Sequence, residues 1–256
     1  MRFLYRSILA AALVVMGIVL IMLVLQPARV LAEPRRQRVR ATTMTLWARG
    51  MLMVLGIRRS VAGHRPGRNV LFVSNHISWI DILALMATAS GIFLAKDDVA
   101  RWPLVGWMCR QTDTMFLQRG NARALAERMG SIRHALGQQE NVFLFPEGTT
   151  TAGGEVRNFF PGLFQAAIDT GVAVQPIALN YLEGARRSDA VPYVDDNHFV
   201  THFLRLLKTK SLTAQITFLP VINSFDQDRR QLACLSRNLI SRLVAEEPVF
   251  STRSAA

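Results

Sequence analysis

The chain has 256 residues, half of them apolar, and a formal net charge of +12. That length suits one ordinary domain with an additional segment. Residues 1–68 hold twelve Arg, no Lys and one acid, Glu33, whereas the remaining residues hold 18 basic and 17 acidic side chains. Basic charge concentrated around apolar sequence favours an anionic membrane surface as the partner and argues against nucleic-acid binding.

The first predicted element is a transmembrane helix over about residues 7–25. Ser7 to Leu25 contains nineteen residues without a charge, which is about the length that crosses a hydrocarbon core of roughly 30 Å. The following residues to position 40 carry more Arg than the residues before it, so the positive-inside rule predicts a cytoplasmic (inner) membrane protein whose body faces the cytoplasm. A cleaved signal peptide is the alternative, because Val30-Leu31-Ala32 resembles a cleavage site.

A second apolar helix is predicted at about residues 42–57. It is interrupted by Arg49 and two glycines, which favours an interfacial or re-entrant helix over a span. A core helix of the globular part is the alternative. The predicted division is therefore an N-terminal membrane anchor over 1–60 and a catalytic domain over 61–256.

From Asn69 onward the sequence alternates between β-rich and helical runs. Strands are predicted at Asn69–Val73, Ile92–Ala95, Thr114–Leu117, Val142–Phe145, Ala173–Leu179 and Ala214–Leu219. Helices are predicted at Asp81–Thr88, Ala122–Leu136, Gly162–Thr170, Val200–Lys208 and Arg229–Glu246. This pattern indicates an α/β domain with a mixed, mostly buried sheet flanked by helices, preceded by a hydrophobic helical membrane segment.

His76 and Asp81 lie where a predicted strand ends and a helix begins. Open α/β sheets bind ligands at that edge. With His76 in the turn and Asp81 in the first helical turn, the carboxylate can accept from one ring nitrogen and leave the other free as a base. The alternative is a purely structural role, in which Ser78-x-x-Asp81 is a capping box and Asp81 only caps the helix.

A nucleophile from the protein is missing from this arrangement. The chain has no Ser in a Gly-x-Ser-x-Gly elbow, and neither Cys109 nor Cys234 is well placed. The sequence therefore disfavours a serine or thiol hydrolase. It favours a reaction in which the substrate brings the attacking hydroxyl.

Two further strands end in polar residues. Glu147 and Thr149 follow a strand stopped by Pro146, and Gly148 between them permits a tight turn. Arg119 follows another strand and can clamp a phosphate bidentately. An ordinary turn and a solvated strand-end arginine are the alternatives.

Four blocks in order carry a resemblance to a known family. They are Asn75-His76-x-Ser78-x-x-Asp81, Phe116-Leu117-x-Arg119, Phe145-Pro146-Glu147-Gly148-Thr149 and Val172-x-Val174-x-Pro176. Their order and separation resemble the PlsC-type glycerolipid acyltransferases, the 1-acylglycerol-3-phosphate acyltransferase superfamily. The resemblance covers about residues 70–180, and Pro176 within the last block suggests an edge strand or a bulge.

The resemblance implies an O-acyltransferase of phospholipid biosynthesis with the glycerolipid acyltransferase fold. His76 is then the general base and Asp81 its orienting partner, while the substrate-binding residues are Asn75, Ser78, Arg119, Glu147, Gly148 and Thr149. The implied donor is an acyl thioester of acyl carrier protein or coenzyme A. The partners are membrane lipids and a lysolipid acceptor, with no metal, no separate cofactor and no nucleic acid.

Position 150 departs from the family pattern. The family commonly has Arg after the Gly-Thr pair, and here the residue is Thr150. Without that guanidinium, a phosphate acceptor loses one expected ligand. The lead expectation is acylation of 1-acyl-glycerol-3-phosphate to phosphatidic acid, and the second is acylation of lyso-ornithine lipid. A non-catalytic lipid-binding protein is a remote alternative, disfavoured because such a protein needs no oriented base.

Overall fold

The computed structural model describes residues 1–65, 67–117, 122–194, 198–225 and 227–246, apart from the side chains of 122–125. The helices are α1 (Arg2–Leu20), α2 (Glu33–Leu55), α3 (Ile80–Met86), α4 (Asp97–Ala100), α5 (Val105–Gln111), α6 (Ala122–Gly137), α7 (Gln165–Thr170), α8 (Phe199–Lys208) and α9 (Arg229–Ala245). The strands are β1 (Ile57–Ala62), β2 (Leu71–Ser74), β3 (Ile92–Lys96), β4 (Met115–Leu117), β5 (Val142–Leu144), β6 (Val174–Glu183), β7 (Arg186–Arg187) and β8 (Leu212–Phe218).

The strands form a mixed sheet in the order β1-β8-β6-β2-β5-β3-β4, with β7 paired to β6. The pairs of β2 with β5 and β6 are parallel, whereas β6 and β8 are antiparallel. Side chains alternate between the two faces of the sheet, as in β2, where Phe72 joins one core cluster and Leu71 and Val73 join the other. The predicted α/β fold with a buried sheet flanked by helices is confirmed.

The N-terminal helix continues beyond the predicted span. A π-helical turn at Ile21–Leu25 and a 3₁₀ turn at Pro27–Val30 follow α1. Within the described part of the chain, Arg2–Val30 is the one helical stretch that is long and apolar enough to cross a membrane, judged by length and composition. Only 22% of its most apolar window is buried, so the stretch is not an ordinary core helix, and its exposure favours membrane association.

The second helix begins earlier than predicted, at Glu33 rather than near residue 42. Pro34 lies in its first turn, where its fixed φ suits a helix and its missing N–H is not needed. Glu33 also pairs with Arg36 at 2.7 Å. The basic run at 35–40 is therefore helical, and the helix ends at Gly56, whose φ of 74° is left-handed.

The boundary predicted between residues 60 and 61 is also wrong. It cuts through β1, which pairs in parallel with β8 from Ile57↔Leu212 to Ala62↔Thr217. In addition, α2 buries Ala48, Leu52 and Leu55 in the same core cluster as the sheet. The C-terminal half of α2 thus packs as a core helix, and the domain takes in part of the predicted anchor.

Pro176 does not mark an edge, because β6 lies between β2 and β8. The ladder with β8 stops at Ile177↔Phe218, and the next bridge joins Val174 to Ile222. That shift by one residue is a bulge in the segment opposite Pro176, which leaves the proline without a ladder bond to donate. The bulge alternative is therefore the correct one.

Candidate active site

His76 lies in the turn between β2 and α3. The strand ends at Ser74, the helix begins at Ile80, and β2 is flanked by two parallel neighbours, β5 and β6. The turn is therefore at the carboxyl edge of the central parallel strands, where the sequence predicts it.

The predicted contact between His76 and Asp81 is confirmed. Asp81 Oδ2 lies 2.8 Å from His76 Nδ1 and also accepts the backbone N–H groups of Ile77 at 2.6 Å and Ser78 at 2.9 Å. The Asp81 side chain is completely buried. The capping-box alternative is not borne out, because α3 has no side-chain cap bond and Ser78 Oγ has no partner within the described residues. The same oxygen of Asp81 instead orients the imidazole and ties down the turn before the helix.

His76 lines the large cavity of the protein. Within the described residues its other ring nitrogen, Nε2, has no hydrogen-bond partner, and the side chain is 17% exposed. The ring stacks on Phe145 with 4.1 Å between centroids and 18° between planes. With Nδ1 bonded to a carboxylate and the ring held by the stack, Nε2 is the nitrogen that can accept a proton from a molecule in the cavity.

Asn75 does not face a substrate. Its Nδ2 donates to Leu179 O at 3.0 Å and its Oδ1 accepts from Leu179 N at 2.8 Å, and the residue is fully buried. The amide thus imitates a peptide group and ties the catalytic turn to β6. The predicted substrate-binding role for Asn75 is corrected to a structural one, because both ends of its side chain are already bonded.

Glu147 is likewise turned away from the cavity. Its Oε1 accepts from His76 N at 2.8 Å and its Oε2 accepts from Arg157 N at 2.7 Å, and only 4% of the residue is exposed. Burial raises the pKa of Glu147, and the two backbone donors offset part of that rise. The predicted contact with substrate is corrected: this carboxylate joins the turn after β5 to the backbone of His76.

Ser78 is also buried, and its Oγ has no partner within the described residues. Its backbone serves Asp81 instead, so the predicted substrate contact is not seen. Gly148 and Thr149 do line the cavity, and Gly148 adopts a left-handed φ of 68° in a turn closed by its N–H on Phe145 O. Arg119 lies outside the described residues.

The amides at the start of the catalytic turn are occupied. The N–H groups of Ile77 and Ser78 both donate to Asp81. They are therefore unavailable to the oxyanion of an acyl-transfer reaction.

The cavity beside His76 has a volume of about 1470 Å³ and mainly apolar walls. Its lining comes from the N-terminal helices as well as from the domain, including Gly17, Leu20, Ile21, Leu25, Met44 and Trp47. Trp47 Nε1 donates to Leu13 O at 2.8 Å, which joins α2 to α1 beside this wall. The predicted anchor thus forms part of the site, and its apolar surface fits an acyl chain.

The cavity also contains Cys109, whose thiol is a possible competing nucleophile. Burial is the largest influence on this group and raises its pKa, so the thiol stays protonated and weakly nucleophilic at neutral pH. No group of three or more His, Cys, Asp or Glu side chains within the described ranges is arranged to hold a metal ion.

Thr150 occupies the position where the resemblance implies an arginine. Its Oγ1 donates to Tyr193 O, which ties the turn after β5 to the segment before α8. Arg157 is exposed and also lines the cavity. Among the described residues it is therefore a cation available near this turn, though not at the implied position.

Sequence reasoning missed an aromatic group around Trp79, which lines the same cavity as His76. Trp79 Nε1 donates to His202 Nδ1 at 3.0 Å, and His202 Nε2 bonds Val191 O at 3.1 Å. Trp79 also contacts Phe199 and Phe203. The spacing of these residues on the helix α8, at intervals of three and four, is the signal that could have found them.

The sequence of this chain is similar to those of enzymes that acylate lipids. Residues 57–180 match the family model described as Acyltransferase. The chain is 35% identical over 202 residues to the lyso-ornithine lipid O-acyltransferase of Pseudomonas aeruginosa, covering 78% of this chain and 76% of that protein. It is 32% identical over 202 residues to the 1-acyl-sn-glycerol-3-phosphate acyltransferase of Neisseria meningitidis, covering 78% and 79%.

A second lyso-ornithine lipid O-acyltransferase, from Rhizobium meliloti, is 32% identical over 266 residues, with 96% of this chain and 89% of that protein covered. Among solved structures, the 1-acyl-sn-glycerophosphate (LPA) acyltransferase PlsC from Thermotoga maritima superposes with a TM-score of 0.69 over 95% of this chain and 96% of that chain. Its sequence identity is 19%, so this likeness concerns the fold.

Proposed function

Since the chain belongs to the PlsC-type acyltransferase family, we propose that it moves a fatty acyl group from a thioester to the free hydroxyl of a lysolipid. The observation that carries this proposal is His76, bonded through Nδ1 to Asp81 at 2.8 Å and open to the cavity at Nε2. The donor is the thioester of acyl carrier protein or coenzyme A, and no further cofactor takes part.

His76 is the general base of the proposed reaction. Nε2 takes the proton of the acceptor hydroxyl as its oxygen attacks the thioester carbonyl carbon. The carbon–sulfur bond then breaks, and the departing thiolate takes the proton back from the imidazolium. Asp81 fixes the ring so that Nε2 points into the cavity, and its charge stabilises the imidazolium that forms between the two proton transfers.

We propose 1-acyl-glycerol-3-phosphate as the acceptor, with phosphatidic acid as the product. The 1-acyl-sn-glycerol-3-phosphate acyltransferase of Neisseria meningitidis supports this choice, and Arg157 supplies a cation at the cavity. Arg119 is a second phosphate ligand in this proposal, on the strength of its motif.

Thr150 favours a second candidate acceptor, lyso-ornithine lipid, which carries no phosphate. Thr150 has no guanidinium to offer a phosphate. Its hydroxyl is already bonded to Tyr193 O. The relatives from Pseudomonas aeruginosa and Rhizobium meliloti are named for that acceptor.

The proposed location is the cytoplasmic membrane, with α1 as a retained anchor and the domain on the cytoplasmic face. Its support is the apolar stretch Arg2–Val30 and the arginines of the first turns of α2. Full-length protein should stay in the membrane fraction through a high-salt carbonate wash. Its release would refute an integral anchor, and a mature N-terminus at Glu33 would show that the stretch is a signal peptide.

One assay tests the reaction and the acceptor together. Detergent-solubilised protein receives one labelled acyl thioester with 1-acyl-glycerol-3-phosphate or with lyso-ornithine lipid, and His76→Ala serves as the blank. Phosphatidic acid formation supports the lead, whereas product from lyso-ornithine lipid alone establishes the second candidate. Equal turnover by His76→Ala would remove the base from the mechanism. The same acyl group on acyl carrier protein and on coenzyme A identifies the donor.

A further inference from the structure

The two oxygens of the Asp81 carboxylate differ in the number of hydrogen bonds that they accept. Oδ2 accepts three hydrogen bonds, whereas Oδ1 is buried and has no hydrogen-bond partner within the described residues. A buried carboxylate oxygen without a hydrogen-bond donor raises the free energy of the folded state. The torsion that sets the plane of the carboxylate is also soft, so the group can rotate. Bonds to Oδ2 alone therefore hold the position of that oxygen more firmly than the orientation of the group.

Tyr181 is the buried donor on the same side of the sheet. Ile177, Leu179 and Tyr181 are alternate residues of β6, so their side chains lie on the same face of the sheet, the one that carries α3. They share a core cluster with Ile80 of that helix. The Tyr181 hydroxyl is buried and has no hydrogen-bond partner in the described parts of the chain. Two unsatisfied buried groups of complementary chemistry thus lie at the same interface.

The backbone holds these two groups in register. Asn75, next to the catalytic histidine, bonds both the N–H and the C=O of Leu179, two residues before Tyr181. Because β6 also pairs with β2 up to Ser74↔Ile177, the strand that carries Tyr181 is fixed against the turn that carries His76. The phenol therefore has little freedom to leave the carboxylate.

Electrostatics keep this phenol protonated. Burial raises the pKa of Tyr181 well above its ordinary value, and the nearby charge of Asp81 raises it further. The hydroxyl is therefore a hydrogen-bond donor throughout the pH range in which an acyl thioester can be assayed.

We propose that Tyr181 is a positioning residue that donates its hydroxyl to Asp81 Oδ1. This bond fixes the plane of the carboxylate so that Oδ2 stays on His76 Nδ1. The proposal rests on the roles given to His76 and Asp81 in the proposed function. A hydrogen bond from the phenol removes the free-energy penalty of leaving Oδ1 buried without a donor. It keeps the negative charge of Asp81, which stabilises the imidazolium. Tyr181 touches neither the acyl donor nor the acceptor.

The test is a double-mutant cycle on the full-length, detergent-solubilised protein. Tyr181→Phe, Asp81→Asn and the double variant are compared with the wild type, using the acceptor that the wild type acylates. We expect Tyr181→Phe to lower kcat about tenfold with KM changed less than about twofold, because a hydrogen bond to a charged group is lost. In the Asp81→Asn background the same substitution should change kcat less than about twofold.

The controls separate this proposal from its premise. Tyr5→Phe removes a phenol from an exposed site on α1 and should leave kcat unchanged. His76→Ala and Asp81→Asn test the base and its partner. If both of these variants are much slower than the wild type while Tyr181→Phe equals it, the role of Tyr181 is refuted and the mechanism stands. If His76→Ala turns over as fast as the wild type, the general-base mechanism on which this proposal rests fails.

Two further outcomes would overturn the proposal. Ser78 Oγ is another buried hydroxyl without a partner in the described structure, so Ser78→Ala is measured alongside. A loss confined to Ser78→Ala would assign Oδ1 to the serine. A loss from Tyr181→Phe that is equal in both Asp81 backgrounds would show that the phenol acts on folding alone, because a smaller folded fraction lowers both rates by the same factor.

Discussion

Glu147→Gln distinguishes a structural carboxylate from a ligand of the acceptor headgroup. The side chain accepts one backbone N–H at each oxygen, from His76 at 2.8 Å and from Arg157 at 2.7 Å. A glutamine keeps the size and one acceptor, but its NH₂ group must face the other backbone N–H. The exchange therefore replaces a charge-assisted hydrogen bond with two donors that face each other.

The magnitude follows from those two bonds. Loss of a hydrogen bond to a charged group costs about 1.5–3 kcal/mol, and a buried N–H left without an acceptor costs about 1–3 kcal/mol. Burial raises the pKa of Glu147, so the carboxylate itself carries a desolvation cost that the neutral amide avoids. We expect a net loss of about 2–3 kcal/mol, which corresponds to a fall in the melting temperature of roughly 4–12 °C for a chain of this size.

The activity assay adds the second half of the test. Because Glu147 holds the backbone N–H of His76, its substitution should lower kcat by about tenfold or more while KM for the lysolipid stays within about twofold. Glu183→Gln, at the exposed end of β6, is the matched control and should change neither quantity. A raised KM with an unchanged melting temperature would refute this reasoning and restore Glu147 as a headgroup ligand.

Two more predictions concern the cavity wall and pH. A Cβ added at Gly17 would lie 2.8 Å from both Met108 Cε and Trp47 Nε1, so Gly17→Leu should lower kcat/KM for long acyl thioesters about tenfold more than for short ones, measured with a series of chain lengths. Burial lowers the pKa of His202 below the ordinary histidine value of about 6.5, so the unfolded chain binds the proton first as pH falls. The melting temperature should therefore drop as pH falls below about 6.5 towards the folded-state pKa, and less so in His202→Gln; an equal drop in both proteins would contradict it.

The elements that sequence predicted well are those with local signals. The helix predicted at Arg229–Glu246 is observed as Arg229–Ala245, and Asp228 begins it with a complete capping box. The strand at Ile57–Ala62 was missed because two arginines and a serine interrupt its apolar pattern. It lies at the edge of the sheet, and its pairing with β8 joins residues about 155 positions apart, which no local pattern encodes.

The site shows the same division between local and non-local information. The contact of His76 with Asp81 spans five residues and depends only on a turn entering a helix, so its geometry could be predicted. The directions of Asn75 and Glu147 could not, because their partners are the backbones of Leu179 and Arg157 in other elements. A motif gives the identity of a side chain, whereas its direction depends on which distant backbone group is left unbonded.

This distinction moves the question of acceptor choice to other residues. Asn75 and Glu147 use their polar atoms on backbone groups, so they hold the catalytic turn and have no group left for a lysolipid. We expect discrimination between a phosphate and an ornithine headgroup to come from residues on the cavity wall and from Arg119, which lies outside the described residues. Among the described residues, Thr150 and Arg157 lie on that wall beside the turn after β5. Because bidentate contacts to phosphate require a guanidinium rather than a hydroxyl, we expect Thr150→Arg to shift turnover towards the phosphate acceptor while His76 remains the base, measured with the two lysolipids side by side.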